Sequence, residues 1–218
     1  MRRGRALGVA PFSRKGESAF APFRTFKEVG ISMKRFLVLA GLLCFTLLGS
    51  AACGAEMPVV EGPIIVTTCG QSPGAVMIKM SAMAAGFTAE HNNDLTAADL
   101  EGTEYKTLII TTGTSMKGMG AAGTDVKKEI ERCAALMEAA REKGMLVIGA
   151  HIEGMARRAD QADQESIEGV VPHADMILVV EESDSDGLFS GYAKDKDLPI
   201  LIVKDALGIG QGLAGTKQ

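Results

Sequence analysis

Four short segments of this 218-residue chain concentrate side chains with which chemistry is done. They are Cys69-Gly70-Gln71-Ser72, the glycine-rich stretch from Gly113 to Gly123 with Ser115 and Lys117, His151 to Arg158, and Glu181 to Gly187. Each follows a run of β-branched or aliphatic residues that reads as a buried strand. In an open parallel sheet, ligands bind beyond the carboxyl ends of the strands, where the strand order reverses. The four segments would then share one rim. The opposite turns, Lys143-Gly144 and Asp197-Leu198, are short.

The first segment leads into a helix whose free N–H groups and dipole suit an anion or carboxylate. Gly70, Gln71 and Ser72 are candidate contacts, with the alternative that Gly70 only turns the chain and Ser72 only caps. In the second, a Walker A loop would need Gly-Lys-Ser/Thr opening the helix, but Lys117 precedes Gly118. No dinucleotide fingerprint follows the first strand either, so no cofactor is implied. A loop that lays Ser115 and Lys117 on a small ligand is the better reading. In the third, His151 closes a strand, and Arg157 and Arg158 invite a carboxylate or phosphate through forked hydrogen bonds. The alternative is ion pairing with Asp160, Asp163 or Glu165.

A catalytic arrangement is also conceivable, with Cys69 or Ser72 as nucleophile, His151 as base and Asp186 orienting it. No G-x-S-x-G elbow supports it. No His or Cys spacing suits zinc. Met77, Met80 and Met83, with Met116 and Met119, raise soft-metal binding, but i, i+3, i+6 spacing on a helix reads as core packing. No metal is expected, and His91 and His173 receive no role.

The elements that must position these loops alternate. Strands are expected at Ile64–Thr68, weakly at Phe87–His91, then at Thr107–Thr112, Met145–Ala150, Asp175–Val180 and Pro199–Val203. Helices are expected from the Ser72-Pro73 cap to Ala85, over Asp125–Lys143, Asp160–Val171 and Ser185–Lys196, with a weak last helix at best in the glycine-rich tail. Such alternation gives a single doubly wound α/β domain: a mostly parallel sheet of five to six strands with helices on both faces, Rossmann-like or flavodoxin-like. Cys133 shares a stripe with Val126, Ile130, Met137 and Ala140, so it reads as core, a Cys69–Cys133 disulfide being the alternative.

The N-terminus stands apart. Lys34-Arg35, the uncharged apolar run Phe36–Gly49 and the small residues Ser50–Ala55 read as a signal peptide over 33–55. An uncleaved anchor is the alternative. Cys53 after Ser50-Ala51-Ala52 also resembles a lipoprotein box, although leucine is usual where Ser50 stands. Residues 1–32 would be an extension from a start codon read too early, and 56–218 the domain. Nine of 23 basic and two of 27 acidic residues lie in 1–55, leaving 14 against 25 and a net −11. Such a field excludes nucleic acid, and leaves the membrane reachable only through the signal peptide or a lipid on Cys53.

The strings TTCGQSPGAVMIK, TLIITTGTSMKGMGAAGTD, GAHIEGMARRADQAD and ADMILVVEESDSDGLF, in that order, resemble a family of exported bacterial proteins known as domain of unknown function 6305. The resemblance spans about residues 60–210 and implies an α/β fold behind a signal peptide. It transfers no activity and no catalytic residue.

The expected protein is therefore exported, periplasmic or extracellular, and binds a small polar or anionic molecule at the rim through Gly70, Gln71, Ser72, Ser115, Lys117, His151, Arg157 and Arg158. A hydrolase or transferase using Cys69 or Ser72 is one alternative. A cell-surface interaction module without a small ligand is the other.

Overall fold

In the computed structural model, which describes residues 55–217, the chain forms a six-stranded sheet in the order β2-β1-β3-β4-β5-β6. The strands are β1 Ile64–Cys69, β2 Ala89–His91, β3 Thr107–Thr112, β4 Leu146–His151, β5 Met176–Val180 and β6 Ile200–Val203. All five pairings are parallel. β1 and β3 are buried along their whole length, as strands covered on both faces must be. The fold is thus the doubly wound α/β expected, with the full complement of strands. The segment 1–32, the signal peptide 33–55 except its last residue, and Cys53 lie outside the described residues.

The strand pleat divides the core. Val66, Ile109, Ile148 and Met176 face α1 (Gly74–Ala84) and α6 (Ile209–Gly215). Ile65, Leu108, Ile110 and Val147 face α3 (Val126–Glu142), through Cys133, Leu136, Met137 and Ala140. Ile177 and Val179 meet Ile167 of α4 (Gln161–Val170) and Phe189 and Ala193 of α5 (Leu188–Lys196). A short α2 (Met116–Ala122) links β3 to α3. Asp125 and Asp160 cap α3 and α4, their carboxylates accepting from Lys128 N and Asp163 N. Among the described residues no helix is long and apolar enough to cross a membrane.

The structure corrects four local expectations. Ser72 does not cap α1. It is buried with Oγ 3.4 Å from Thr68 Oγ1, the N-cap position is Pro73, and the open Gly74 N–H is taken by the Glu153 carboxylate at 3.1 Å. The α5 helix begins at Leu188, because Glu181–Asp184 forms a 3-10 turn whose Asp184 accepts from Phe189 N and Ser190 N. The tail does form a helix: α6 buries Ile209 and Leu213, and Gly210 approaches α1 so closely that a Cβ would lie 2.0 Å from the Ser81 carbonyl. Cys133 lies in the core as expected, and it and Cys69 are buried free thiols rather than the alternative disulfide. Met77, Met80 and Met83 are not core: α1 packs through Ala75, Ile78 and Ala82 and exposes the methionines.

Candidate functional site

Strand order reverses between β1 and β3, the chain running out to β2 and then back across β1. At that point the loop after β1 is forced into an unusual path. Gly70 has φ +129° and Gln71, a non-glycine residue, sits in the left-handed region at φ +58°. Such conformations persist only where the surroundings over-determine them. Here Gln71 forms an antiparallel bridge with Thr114, Ser115 N donates to Gly70 O at 2.7 Å, and Gly113 N donates to Ser166 Oγ at 3.1 Å. The Ser166 hydroxyl donates in turn to the Cys69 carbonyl. Ser115 also caps α2, accepting from Gly118 N at 3.1 Å.

Two buried carboxylates hold this junction. Glu129, 3% exposed on α3, accepts from Arg132 Nη2 at 2.7 Å, from Gly70 N at 3.3 Å and from the Gln71 amide at 3.3 Å. Arg132 reaches on to Leu95 O at 2.9 Å, to Thr67 Oγ1 and to the Thr68 carbonyl. On the other side Asp163, also 3% exposed, accepts from Thr114 N at 2.7 Å, Thr114 Oγ1 at 2.8 Å and Ala159 N at 3.0 Å. Burial works to raise its pKa, but these donors outweigh that and keep it below the ordinary aspartate value.

Glu129 is not singled out by the sequence reading, and Asp163 only as an ion-pair partner for the arginines. Glu129 and Cys133, like Asp163 and Ile167, are spaced i, i+4 on the buried side of a helix, and a carboxylate within an apolar stripe is the signal that could have found them.

The arginines expected to meet a ligand are engaged within the fold. Arg157 pairs through Nε with Glu153 at 3.2 Å and donates to the Thr114 carbonyl. Arg158 makes a forked pair with Asp186, both contacts 2.7 Å, and donates to Ser183 O at 3.0 Å. The hydrogen bonds from Arg158 hold the Asp186 carboxyl down at about 2. Their partners are thus neither Asp160, Asp163 nor Glu165. Lys117 is exposed near the start of α2 and forms no ion pair among the described residues.

His151 is fully buried, with Nε2 3.1 Å from Gly154 O, Nδ1 2.9 Å from Thr112 Oγ1, and its ring stacked on Phe189 at 5.2 Å. A carbonyl only accepts, so Nε2 carries hydrogen. Burial foremost, and then the Arg158 charge, holds the His151 pKa below its usual 6.5 despite the Gly154 bond. The unfolded chain therefore binds this proton more readily than the folded one, so the stability this creates is present above pH 6.5 and is lost as pH falls below it. The melting temperature should drop between pH 7.5 and 5.5, and His151→Gln should flatten that part of the profile. An unchanged slope in the variant would exclude His151 as the cause.

The triad geometry is not assembled. Cys69 and Ser72 are buried, the His151 nitrogens face Thr112 and Gly154, and Asp186 is held by Arg158. The structure therefore gathers Gly70, Gln71 and Ser115 at the β1–β3 junction with Lys117 nearby on α2. His151 and Arg158 sit in a separate cluster around Phe189, and Ser72 lies inside.

The sequence profile of the family described as domain of unknown function (DUF6305) matches residues 61–216. No curated protein matches the chain. Among solved structures, a GDSL-like lipase from Bacteroides thetaiotaomicron is 13% identical with a TM-score of 0.35, covering 78% of this chain and 76% of its own. A putative lipolytic protein of the G-D-S-L family from Desulfitobacterium hafniense is 14% identical at 0.35, covering 71% and 99%. The psychrotrophic esterase EstA from Pseudoalteromonas sp. is 10% identical at 0.32, covering 72% and 94%. Likenesses this distant say nothing about activity.

Proposed function

We propose that the chain, which belongs to the DUF6305 family, is an exported binding domain that holds a small polar molecule on the rim at the β1–β3 junction. The ligand lies against Gly70, Gln71 and Ser115, with any anionic group reaching Lys117. The observation that carries this reading is Gln71: a non-glycine residue held left-handed at φ +58° where the strand order reverses. The buried Glu129 and Asp163 networks fix the loops in advance, which lowers the ordering cost of binding. Arg157, Arg158, His151 and Ser72 support those loops from behind. Export proceeds through residues 33–55, with Cys53 as the point of any lipid attachment.

The test is thermal shift and native mass spectrometry with monosaccharides, amino acids, dicarboxylates and phosphate. At least one compound should stabilise the protein, and Lys117→Ala should reduce the shift given by anionic members of the panel. A panel without effect, or anion shifts that survive Lys117→Ala unchanged, overturns this site.

A further inference from the structure

A helix that covers a sheet normally turns a charged or polar face to solvent. Helix α3 does so, with Lys127, Lys128, Glu131, Glu138 and Glu142 exposed. Helix α1 does not. It packs through Ala75, Ile78 and Ala82, and its large exposed side chains are Met77, Met80 and Met83, at 37%, 66% and 53%. At 3.6 residues per turn, Met80 points almost directly away from the core stripe, with Met77 and Met83 each about 60° to either side of it. The three span about 9 Å of helix axis, which makes a low ridge rather than a pocket.

The apolar surface continues beyond the helix. Leu207, 89% exposed, is fastened beside α1: Ser81 Oγ donates to Leu207 O at 3.2 Å and accepts from Gly210 N at 2.9 Å. The segment leading into β1 arrives at the foot of the same layer. There Val60 N donates to Thr216 Oγ1 at 2.9 Å, and Val60 joins the core of Ala75, Ile78 and Ala82. Just before it, Met57 and Val59 are exposed. Six of the nine large apolar side chains exposed among the described residues therefore lie on this segment, on α1 and on the turn into α6.

The charge of this layer is opposite to that of the domain. Beyond residue 55 there are 25 acidic residues against 14 basic. Yet residues 73–86 and 206–217 contain no acidic residue, only Lys79 and Lys217. Lys217 sits at the foot of the layer, its Nζ 4.6 Å from the centre of the Phe87 ring. An apolar ridge flanked by lysines suits a lipid interface, where the apolar side sinks about 5–10 Å and the cations meet anionic headgroups. Those headgroups repel the acidic remainder of the surface, which favours contact through this face over any other.

We propose that the face formed by α1 and the turn into α6 docks on the surface of an anionic bilayer. This rests on the reading of residues 33–55 as an export segment, which joins the domain through the segment at the foot of this face. One weak attachment gives marginal membrane binding, whereas two together give stable anchoring. The face supplies a second attachment beside any lipid on Cys53.

The experiment records the methionine methyl signals of the full chain on vesicles of phosphatidylethanolamine and phosphatidylglycerol carrying a nitroxide-labelled lipid. Met77, Met80 and Met83 should relax several-fold faster than Met116 and Met155, which are exposed in the rim loops. Met80→Glu changes a side chain outside the core, so the variant should fold, and Met77 and Met83 should then relax no faster than the rim pair. Uniform relaxation on the vesicles means a chain tethered only by its N-terminus, and overturns the docking while leaving the export reading intact. Signals of the three methionines that shift without lipid as protein concentration rises mean that a second copy covers the face, and also overturn it. So does relaxation that Met80→Glu leaves unchanged. Failure of the export reading shows separately: the chain would stay in the cytosolic fraction of an export-competent host with residues 33–55 intact, and the docking would fall with it.

Discussion

Replacing Glu129 by alanine is expected to lower the free energy of unfolding by about 3–5 kcal/mol, the usual cost of deleting one partner of a buried ion pair. The carboxylate is 3% exposed and the Arg132 side chain 15%, so water cannot take over the vacated role. Arg132 Nε is already buried without a partner, and Gly70 N and the Gln71 amide would lose acceptors in the same step. The Asp125–Lys128 pair on the same helix is the contrast, with side chains 56% and 66% exposed. Removing Asp125's partner by Lys128→Ala should cost less than about 1 kcal/mol. Urea denaturation measures both, provided m is unchanged. The double variant Glu129→Leu/Arg132→Leu should cost less than the sum of its singles, because the stranded charge is what makes each single severe. A loss under about 1 kcal/mol for Glu129→Ala, or strict additivity in the double, would mean the pair does not hold the junction.

That pair also shows what the sequence hides. Strands were legible because Ile64–Thr68 and Thr107–Thr112 are β-branched runs that only a sheet covered on both faces can bury. The starts of α3 and α4 were legible at Asp125 and Asp160, which the structure shows to be their caps, because capping is local, decided within three residues. Ser72 misled because its hydroxyl found Thr68 rather than the helix turn in front of it. Helix α1 carries two stripes at helical spacing, the methionines and the set Ala75, Ile78 and Ala82; periodicity alone cannot say which faces the sheet. Arg158 is the plainest case. Sequence proximity offered Asp160 and Asp163, while its actual partner, Asp186, lies 28 residues on in the next strand–helix loop. The rim loops were therefore identifiable from where strands end. Which of their side chains are tied down depends on contacts between loops that no spacing encodes.

Gly70→Ala is the second change expected to be severe, costing about 3 kcal/mol or more through backbone strain and overpacking together. At φ +129° an alanine is strained whatever room it has, and here it has none. Its Cβ would lie 2.7 Å from Gly113 O and 2.9 Å from Thr114 Cα and Cγ2. Two of these are backbone atoms, and Thr114 is pinned by Asp163, so relief would require the β1 and β3 loops to part. Parting them breaks the Ser115 N to Gly70 O bond, and with it the bridge that sets Gln71. Amide exchange at Ser115 should then rise ahead of global unfolding, separating local opening from a general loss of stability. Gly120→Ala adds the same single carbon in α2, where nothing lies within 4 Å. There it should stabilise by up to about 1 kcal/mol, since alanine is the better helix former. If Gly70→Ala melts within about 1 °C of the parent, or exchange at Ser115 is unchanged, the loops are not locked as the geometry implies. The preorganisation on which ligand binding at this rim rests would then be absent.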